Sequence, residues 1–474
     1  MGHAFKGTAA LNDERIEGVY QAKEFGIIDD DSADNIDKLA DAASYISTQG
    51  GGELFLPYRY NGIYRVSDGF DLAANVRLSM GPGAIIENQS NTAGNAKYTV
   101  RVVPYSQIVG ARIKHKQEST TWNGACIKLD GSDRFPGNNF DGSQTLIQNV
   151  QVETPPHVTN TSVGTGSGIL LLASTPSDYI QLVKFSNLDI RRTLTGIKLE
   201  ATDLDDTVTA QDDGSGNLQI NWSSHPMDDG DAILFSNSGG TLPTGLTAGT
   251  TYYVTGSSTN AFLVEATVGG GAISYSDAGT GTHTASPKPW VNGNTFSDIH
   301  FIRSRFGILA NSQGGATQVN GNLFNNIQYQ TSTHSYRICD FEGGAYNSVK
   351  NLMSWDWQGT LGAGFDAIQF NQTYNARFNY VEAMGLLDET NITGDKSRNA
   401  VAFLGRTAQP MRQFTVSDIN TDAPANKFTG CIAYVSNGDG GAPCIAVSNG
   451  TNWIVAGPMT DTNEGNIGDT ISAT

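Results

Sequence analysis

Short runs of alternating apolar and polar residues, bounded by Gly, Pro or Asn, dominate the chain after its first 50 residues and predict strands. One earlier stretch has a different period, because Ile36, Leu39, Ala40, Ala43 and Ile46 recur at helical spacing. Ser32 or Asp34 is its expected N-terminal cap, and the glycines at 50–52 end it. The pattern therefore predicts one amphipathic helix of about four turns followed by β structure.

A strand pattern with Asn or Asp before an apolar residue recurs five times. The five runs, LIQNVQVE, KFSNLDIR, TFSDIHFI, LFNNIQYQ and SVKNLMSW, carry these marker residues at Asn149, Asn187, Asp298, Asn326 and Asn351. A sixth run, RFNYVEAM at 377–384, has Tyr380 at the marker position. A second strand follows each marker, in the order GIKLE, GILAN, ICDFE, AIQFN and, last, AVAFL at 400–404.

Repeats of this length with two or three strands each predict the rungs of a parallel β-helix. The marker amides would then stack in a hydrogen-bonded ladder, because an amide both donates and accepts. A β-sandwich with Asn in its turns is the alternative.

One interval between markers is much longer than the others. The steps are 38, 111, 28 and 25 residues, so about 83 residues of the second step are extra. The stretch 203–286 has its own pattern of about five strands joined by Gly, Thr and Ser turns, which predicts a small inserted β domain. We expect an N-terminal segment (1–24), a first β-helix part with the capping helix (25–202), this insert, a second β-helix part with a candidate groove (287–404) and a C-terminal cap or trimerisation region (405–474).

Charge and composition narrow the set of partners. The chain has 29 Lys and Arg against 47 Asp and Glu, a net charge of −18, which argues against binding to a nucleic-acid backbone. A local cationic groove for an acidic glycan remains compatible with this charge. The longest apolar run, GILLLA at 168–173, is far short of the roughly 20 residues of a membrane span, so no membrane insertion is expected. The four cysteines form no CxxC pair, and no metal or other cofactor is expected.

The order of residues from Phe25 to Tyr64 resembles the N-terminal part of the pectate-lyase-like right-handed β-helix superfamily, especially bacteriophage tailspike depolymerases. The matching positions are Phe25, Gly26, Asp29–Asp31, Ile36, Gly50–Gly52, Leu56, Pro57 and Tyr64. The usual Gly-Asp-Gly of that family is replaced here by Ile28 and Asp29–Asp31. The insert and the GGAPCIAVSNGTNW ending are similar to modules of phage structural proteins. The resemblance implies a homotrimeric spike on a virion tail that degrades a host-surface polysaccharide. It identifies no catalytic residue.

Residues 300–390 are richest in side chains suited to chemistry. Aligning the rungs predicts three outward columns, namely Asp189, His300, Gln328, Met353 and Glu382; Glu200, Asn311, Glu342 and Asn371; and Lys198, Leu309, Asp340, Gln369 and Ala402. Rungs about 4.8 Å apart provide the carboxyl separations that glycoside hydrolysis needs. Asp340 with Asp366, and Asp356 with Glu382, are each 26 residues apart, which is one rung length, so either pair could stack. We predict that the acid and the base or nucleophile are drawn from Asp340, Glu342, Asp356 and Asp366.

Other readings of the same region stay open. His334, Tyr336 and Arg337 supply the base, acid and cation of a polysaccharide lyase acting on a uronate. Trp355 and Trp357 flank Asp356 at strand spacing and would either stack on sugar rings or fill the core. Arg303 and Arg305 would hold an anionic sugar or pair with carboxylates, and His300 and Glu382 would complete the binding surface. A receptor fibre that binds glycan without cutting it is the non-enzymatic alternative.

Overall fold

The computed structural model of the chain describes residues 18–90, 97–116, 122–133, 140–141, 144–154, 156–157, 160–176, 178–202, 204–312, 318–331, 335–356, 366–371, 376–385, 392–394, 399–403, 413–422, 424–427, 431–439 and 441–458. Up to the insert the elements are the helix α1 (Ile36–Thr48) and the strands β1 (Val19–Gln21), β2 (Gly52–Leu56), β3 (Ile63–Val66), β4 (Phe70–Leu72), β5 (Val76–Met80), β6 (Ile85–Asn88), β7 (Tyr98–Val102), β8 (Gln107–Val109), β9 (Arg112–His115), β10 (Ala125–Asp130), β11 (Phe140–Asp141), β12 (Leu146–Glu153), β13 (Pro156–His157), β14 (Asn160–Gly164), β15 (Ser167–Ala173), β16 (Tyr179–Gln181), β17 (Lys184–Arg191) and β18 (Thr195–Ala201).

The insert contributes β19 (Asp206–Asp212), β20 (Leu218–Asn221), β21 (Ala232–Ser238), β22 (Tyr252–Thr255), β23 (Ala261–Glu265) and β24 (Thr282–Pro287). After it come β25 (Trp290–Asn292), β26 (Thr295–Ile302), β27 (Phe306–Ser312), β28 (Val319–Asn320), β29 (Leu323–Thr331), β30 (Arg337–Glu342), β31 (Ser348–Asp356), β32 (Ile368–Phe370), β33 (Tyr380–Gly385), β34 (Ile392–Gly394) and β35 (Ala400–Phe403). The C-terminal elements are β36 (Gln413–Phe414), α2 (Val416–Asp422), β37 (Ile432–Asp439), β38 (Ala442–Ser448) and β39 (Trp453–Pro458). Two single-turn 3₁₀ helices lie at Ala22–Phe25 and Ala425–Lys427.

The chain coils through three stacks of parallel strands, as in a parallel β-helix. Sheet A follows the path β1-β2-β5-β8-β12-β17-β26-β29-β31-β33-β35, with β3, β6 and β9 paired beside it. Sheet B has the order β4-β7-β10-β15-β18-β27-β30-β32-β34, and the smaller sheet C is β11-β16-β25-β28. Most successive rungs add one strand to sheet A and one to sheet B, whereas sheet C has only four strands among the described residues. Residues at equivalent rung positions therefore form columns.

The core lies inside this coil and is built from alternate residues of each strand. Phe185, Phe296 and Phe324 stack there face to face, with ring centroids 4.4 and 4.6 Å apart.

Helix α1 covers the N-terminal end by burying Leu39 and Ile46 completely. The helix forms over the stretch that its apolar period predicts, but the expected cap is wrong. Asn35 is the N-cap residue, while the carboxylate of Asp34 accepts a hydrogen bond from Ile36 N.

The marker residues occupy equivalent positions in sheet A, which confirms their alignment. All five have a positive φ of 51–58°, the left-handed conformation that Asn and Asp tolerate best. Their side chains hydrogen-bond along the stack, with Asn187 donating to Asn149 at 2.7 Å and Asn326 to Asp298 at 3.0 Å. The predicted ladder therefore exists, and each marker bends its strand.

A second ladder of asparagine side chains lies buried inside the coil, and the sequence pattern did not predict it. Five asparagines that each precede a sheet A strand donate from one to the next at 3.0 Å. They are Asn294, Asn322, Asn347, Asn379 and Asn399, and we call them the inner ladder. Their amides also bond backbone groups, so the inner ladder satisfies polar atoms where the chain turns into sheet A.

The rungs after Asn351 depart from the predicted alignment. Tyr380 lies opposite Ser348 and therefore not in the marker column. Strand β33 has no residue that matches the bend at Asn351, so its register against β31 shifts between Val349 and Leu352. The AVAFL run forms β35 in sheet A, so it is not a second strand of the earlier kind. Ala402 accordingly lies opposite Glu382, and Thr393 follows Gln369 in sheet B.

Residues 206–287 form a closed six-stranded antiparallel barrel with strand order β19-β20-β23-β22-β21-β24. The barrel has its own core, which includes Trp222, Phe235 and Phe262. On either side of it, β17 pairs directly with β26 and β18 with β27, so the parallel stacks continue across the insertion. The C-terminal elements also enclose a separate apolar cluster, around Phe414 and Trp453.

Among the described residues, no helix has the length and apolar character that a membrane crossing requires.

Candidate functional site on the outer face of sheet B

The outward side chains of sheet B from β4 to β32, here called the sheet B face, form a charged strip. Alternation within the strands sends the core columns, such as Ile127, Ile169, Ile197 and Ile308, inward and polar residues outward. Two outward columns matter most. One runs Asp71, Arg101, Lys128, Leu170, Lys198, Leu309, Asp340, Gln369 and Thr393, and the other runs Asp130, Leu172, Glu200, Asn311 and Glu342.

Asp340 and Glu342 lie two residues apart on β30 and both point outward from the coil. Asp340 is only 1% exposed, and its Oδ2 accepts a hydrogen bond from Arg337 Nη1 at 2.5 Å. Burial raises the pKa of Asp340, although the Arg337 pairing opposes that shift. Glu342 is half-buried, and its pKa is raised first by burial and then by the nearby negative charge of Asp340. The pKa of Glu342 is therefore shifted in the direction that a general acid requires.

Glu200 faces Glu342 along the same column, with Asn311 between them. Two strand spacings separate the backbones of the glutamates by about 9.6 Å. Lys198 Nζ lies 2.6 Å from Glu200 Oε2, so this carboxylate is ion-paired. Sequence reasoning placed Glu200 in the correct column but did not select it as a catalytic candidate. The signal was present, because Glu200 is the carboxylate that shares a column with Glu342.

The turn between sheets A and B brings aromatic and cationic side chains to the edge of this face. The guanidinium carbon of Arg337 lies 4.6 Å from the ring centroid of Tyr336, and that of exposed Arg305 lies 5.6 Å from it. Phe306 packs edge-on against Tyr336. The predicted residues Arg305, Tyr336, Arg337, Asp340 and Glu342 thus come together in one place. Arg303 lies in the same turn with a positive φ of 56°.

Other predicted site residues lie elsewhere, on the outer side of sheet A. His300 and Trp355 meet there with ring centroids 5.7 Å apart. Burial lowers the pKa of His300, while Asp189 opposes the shift. Trp355 is half-buried and points outward, so it is not core filler. The prediction of one groove that holds all the candidate residues is therefore wrong, because these residues lie on two different sheets.

The two predicted carboxylate stacks are also wrong. Asp340 lies opposite Gln369, and Asp366 comes two residues before β32, at the end of that strand nearest Arg337. Asp356 ends β31 opposite Thr331, whereas Glu382 lies near Asn351, whose backbone N–H it accepts at 3.4 Å. The column that contains Asp189 and His300 continues at Met384, not at Glu382 as predicted. Both stacks require rungs of equal length, whereas the rungs of this protein differ in their number of residues.

His334 and Trp357 lie outside the described residues, as does the side chain of Asp356. The placement of these three candidates therefore stays a prediction.

A second cluster of charges lies further along the sheet B face, toward the N-terminus. Arg101 contacts Asp71 at 2.7 Å and Asp133 at 3.4 Å, and Lys128 contacts Asp130 at 2.7 Å. Burial raises the pKa of Asp133 to about 6 against the attraction of Arg101. Four strand spacings, about 19 Å, separate this cluster from Glu342, so an extended polymer on the sheet B face would reach both.

Two cavities lie away from this face. One of about 380 Å³ lies beside the N-terminal turn around Asp29 and Tyr60, and one of about 440 Å³ lies near Trp453. Asp29 already accepts hydrogen bonds from the backbone of Arg59 and Tyr60. Among the described residues, no group of three or more His, Cys, Asp or Glu side chains is arranged to hold a metal ion.

Comparison with known proteins finds structural similarity only. No protein-family model matches the chain, and no curated protein sequence matches it. The Dettilon tailspike protein aligns over 82% of this chain and 69% of its own, with 11% identity and a TM-score of 0.31. The exopolygalacturonase from Thermotoga maritima aligns over 83% and 93%, with 11% identity and a TM-score of 0.29. The ORF18 protein of Geobacillus virus E2 aligns over 96% and 79%, with 9% identity and a TM-score of 0.33. Identities and TM-scores this low do not carry a function over to this chain.

Proposed function

We propose that the protein is a polysaccharide depolymerase that hydrolyses glycosidic bonds on the sheet B face. The observation that carries this proposal is the Glu200–Asn311–Glu342 column, in which a carboxyl group of raised pKa faces an ion-paired carboxylate two strands away. Glu342 is the general acid that protonates the leaving oxygen. Glu200 is the base that activates water, since strands two spacings apart let the two carboxyl groups reach the separation of about 6.5 to 9.5 Å that leaves room for a water molecule between substrate and base.

Asp340 and Arg337 support this pair as positioning residues. The Arg337–Asp340 contact fixes both side chains on β30, and the charge of Asp340 helps to keep Glu342 protonated. Tyr336 and Arg305 at the turn provide an aromatic and cationic edge on which a sugar ring can rest. The long strip of stacked side chains suits a polymer chain, because each rung repeats at a spacing of about 4.8 Å.

The polysaccharide lyase is the second candidate, since Tyr336 and Arg337 are in contact. Arg337 Nη2 lies 3.4 Å from the Tyr336 hydroxyl. A lyase needs a cation to neutralise the substrate carboxylate, however, and the guanidinium of Arg337 is already paired with Asp340. This pairing favours hydrolysis.

The same proposal extends to the setting in which the enzyme works. We place it in a homotrimeric spike on a virion tail, acting on the surface glycan of a bacterial host, on the strength of the residues from Phe25 to Tyr64 that resemble tailspike depolymerases.

The test is a screen of wild-type protein and the Glu342→Gln variant against bacterial and algal polysaccharides. New reducing ends without ultraviolet-absorbing unsaturated sugars are expected from the wild type. Glu342→Gln should lower the rate at least about a hundredfold while leaving glycan binding intact. Unsaturated products would instead establish the lyase. Binding without new reducing ends would establish a receptor fibre, and full activity of Glu342→Gln would refute the assigned acid.

A further inference from the structure

On the strands β27, β30 and β32 of the sheet B face, three buried side-chain oxygen atoms have no hydrogen-bond partner among the described residues. They are Asn311 Oδ1, Asp340 Oδ1 and Gln369 Oε1, on the successive strands β27, β30 and β32. Asn311 is 5% exposed and Asp340 is 1% exposed. Folded proteins rarely leave such atoms unpaired, because an unmet buried acceptor costs stability. All three atoms are acceptors, so any partner for them must donate hydrogen bonds.

The cations of this face are already engaged. Lys198 is paired with Glu200, Arg337 with Asp340, Lys128 with Asp130 and Arg101 with Asp71 and Asp133. Other buried polar atoms of sheet B also lack a hydrogen-bond partner among the described residues. Glu200 Oε2 is ion-paired with Lys198, Asp133 Oδ2 and Arg101 Nε are ion-paired with each other, and Arg337 Nε is one donor on an ion-paired guanidinium. The Thr393 hydroxyl is a further such atom. Arg305, the exposed arginine of the neighbouring turn, lies over the rings of Phe306 and Tyr336.

We propose that the sheet B face binds a stretch of glycan without carboxylate groups, made of neutral or amino sugars, whose hydroxyl and N–H groups donate to Asn311, Asp340 and Gln369. This inference rests on the proposed function and specifies its substrate. A sugar hydroxyl both donates and accepts hydrogen bonds. The several hydroxyls of a glycan can therefore donate to the three oxygens and accept from Arg337 Nε. A uronate carboxylate only accepts, and at Asp340 and Glu342 it would meet two carboxyl groups whose neighbouring cations, Arg337 and Lys198, are already ion-paired.

Binding to defined polymers tests the charge of the ligand. The probes are a neutral galactomannan, a polymer of N-acetylglucosamine, polygalacturonate and alginate, presented with a glycan array of neutral and amino-sugar oligosaccharides. Binding to at least one carboxylate-free glycan, and to neither polyuronate, is expected. Binding confined to the polyuronates, or to none of the carboxylate-free glycans, overturns the inference. The proposed hydrolysis is judged separately, by the chemistry of the products.

Substitution of the acceptors tests the site itself. Asn311→Leu and Gln369→Leu should each weaken binding of the carboxylate-free glycan about tenfold, since each removes one hydrogen bond to the ligand. Neither should lower the thermal midpoint, because an unmet acceptor is replaced by an apolar group. The matched control is Gln328→Leu, an exposed position on sheet A that should bind as the wild type does.

Gln369→Met guards against misfolding, because it keeps the length of the side chain without adding a charge beside Asp340, and it should weaken binding as Gln369→Leu does. Wild-type affinity in both leucine variants would overturn the inference.

Discussion

Glu342 and Asp340 differ in burial, and this difference gives them different roles in the proposed hydrolysis. Asp340 is enclosed and held by Arg337, so it acts on its neighbour through charge. Glu342 is partly accessible and can reach a substrate. Burial and, after it, the negative charge of Asp340 raise the pKa of Glu342. If Glu342 is the general acid, activity should be lost as the pH rises through this pKa.

Asp340→Asn should therefore shift the alkaline limb of the kcat/KM profile to lower pH. The substitution removes a negative charge and leaves Arg337 without its partner, and both changes favour ionised Glu342. The measurement is the pH dependence of reducing-end release, with Asp189→Asn on sheet A as control. An alkaline limb that stays in place, or moves upward, would show that Glu342 is not the titrating acid.

His115 makes the fold sensitive to acid. Its Nε2 lies 2.6 Å from Ser90 O and its ring lies 4.4 Å from that of Trp122, and burial lowers its pKa from 6.5 to about 4. A base whose pKa is lower in the folded state loses its contribution to stability as the pH falls from 6.5 toward 4. We expect the free energy of unfolding to fall by about 2 kcal/mol between pH 7 and pH 5 from this residue alone.

The check is urea unfolding of the wild type and His115→Phe at both pH values. The variant should be less stable at pH 7, because it loses the hydrogen bond, but its stability should change less with pH. Equal pH dependence in the two proteins would contradict the role of His115.

At the residue scale, the sequence predicts the outward column of Glu200, Asn311 and Glu342 and the proximity of Tyr336 and Arg337, but not the contact of Arg337 with Asp340. It did not reveal that His300 and Trp355 belong to another sheet, because alternation within a strand is the same in both sheets. Nor did it reveal that Asp340 is enclosed, since enclosure depends on side chains from neighbouring rungs.

At the scale of elements, regular stacking follows from bends that repeat at one position of each rung. Where the markers are present, the alignment of strands from β12 to β31 follows from the sequence. Where the last marker is missing, in β33, the register slips and prediction fails. The inner ladder escaped notice because an Asn before a strand is also common in ordinary turns.

The two ladders should differ in their contribution to stability. Asn347→Ala removes a buried amide that links Asn322 and Asn379 and leaves both partly unpaired, so a loss of about 2 to 4 kcal/mol is expected. Asn351→Gly should cost less than about 1 kcal/mol, because its site is exposed and glycine accepts the positive φ. Chemical unfolding of both variants gives the comparison, and a larger loss for Asn351→Gly would contradict it.

The whole molecule combines one long coil with a barrel that is looped out of it. The ends of the barrel lie close together, since Asp206 is paired with Ala285 across neighbouring strands. Replacing residues 206–286 by a short Gly-Ser linker should leave a folded, active protein, because β17/β26 and β18/β27 pair without the barrel. Circular dichroism and reducing-end assays test this. An unfolded product would show that the coil needs the barrel.

The proposed spike also predicts the size of the particle in solution. Light scattering on the purified chain should give three times the chain mass of 50.4 kDa. A monomer that retains full cleavage activity would contradict the assembly while leaving the sheet B site intact.

The most direct test of the central claim is a crystal structure of Glu342→Gln bound to an oligosaccharide from the polysaccharide that the wild type cleaves. The account predicts sugar density along the Glu200–Asn311–Glu342 column, with the scissile bond between the two glutamate positions. Sugar bound instead on sheet A, along His300 and Trp355, with the sheet B face empty, would contradict it.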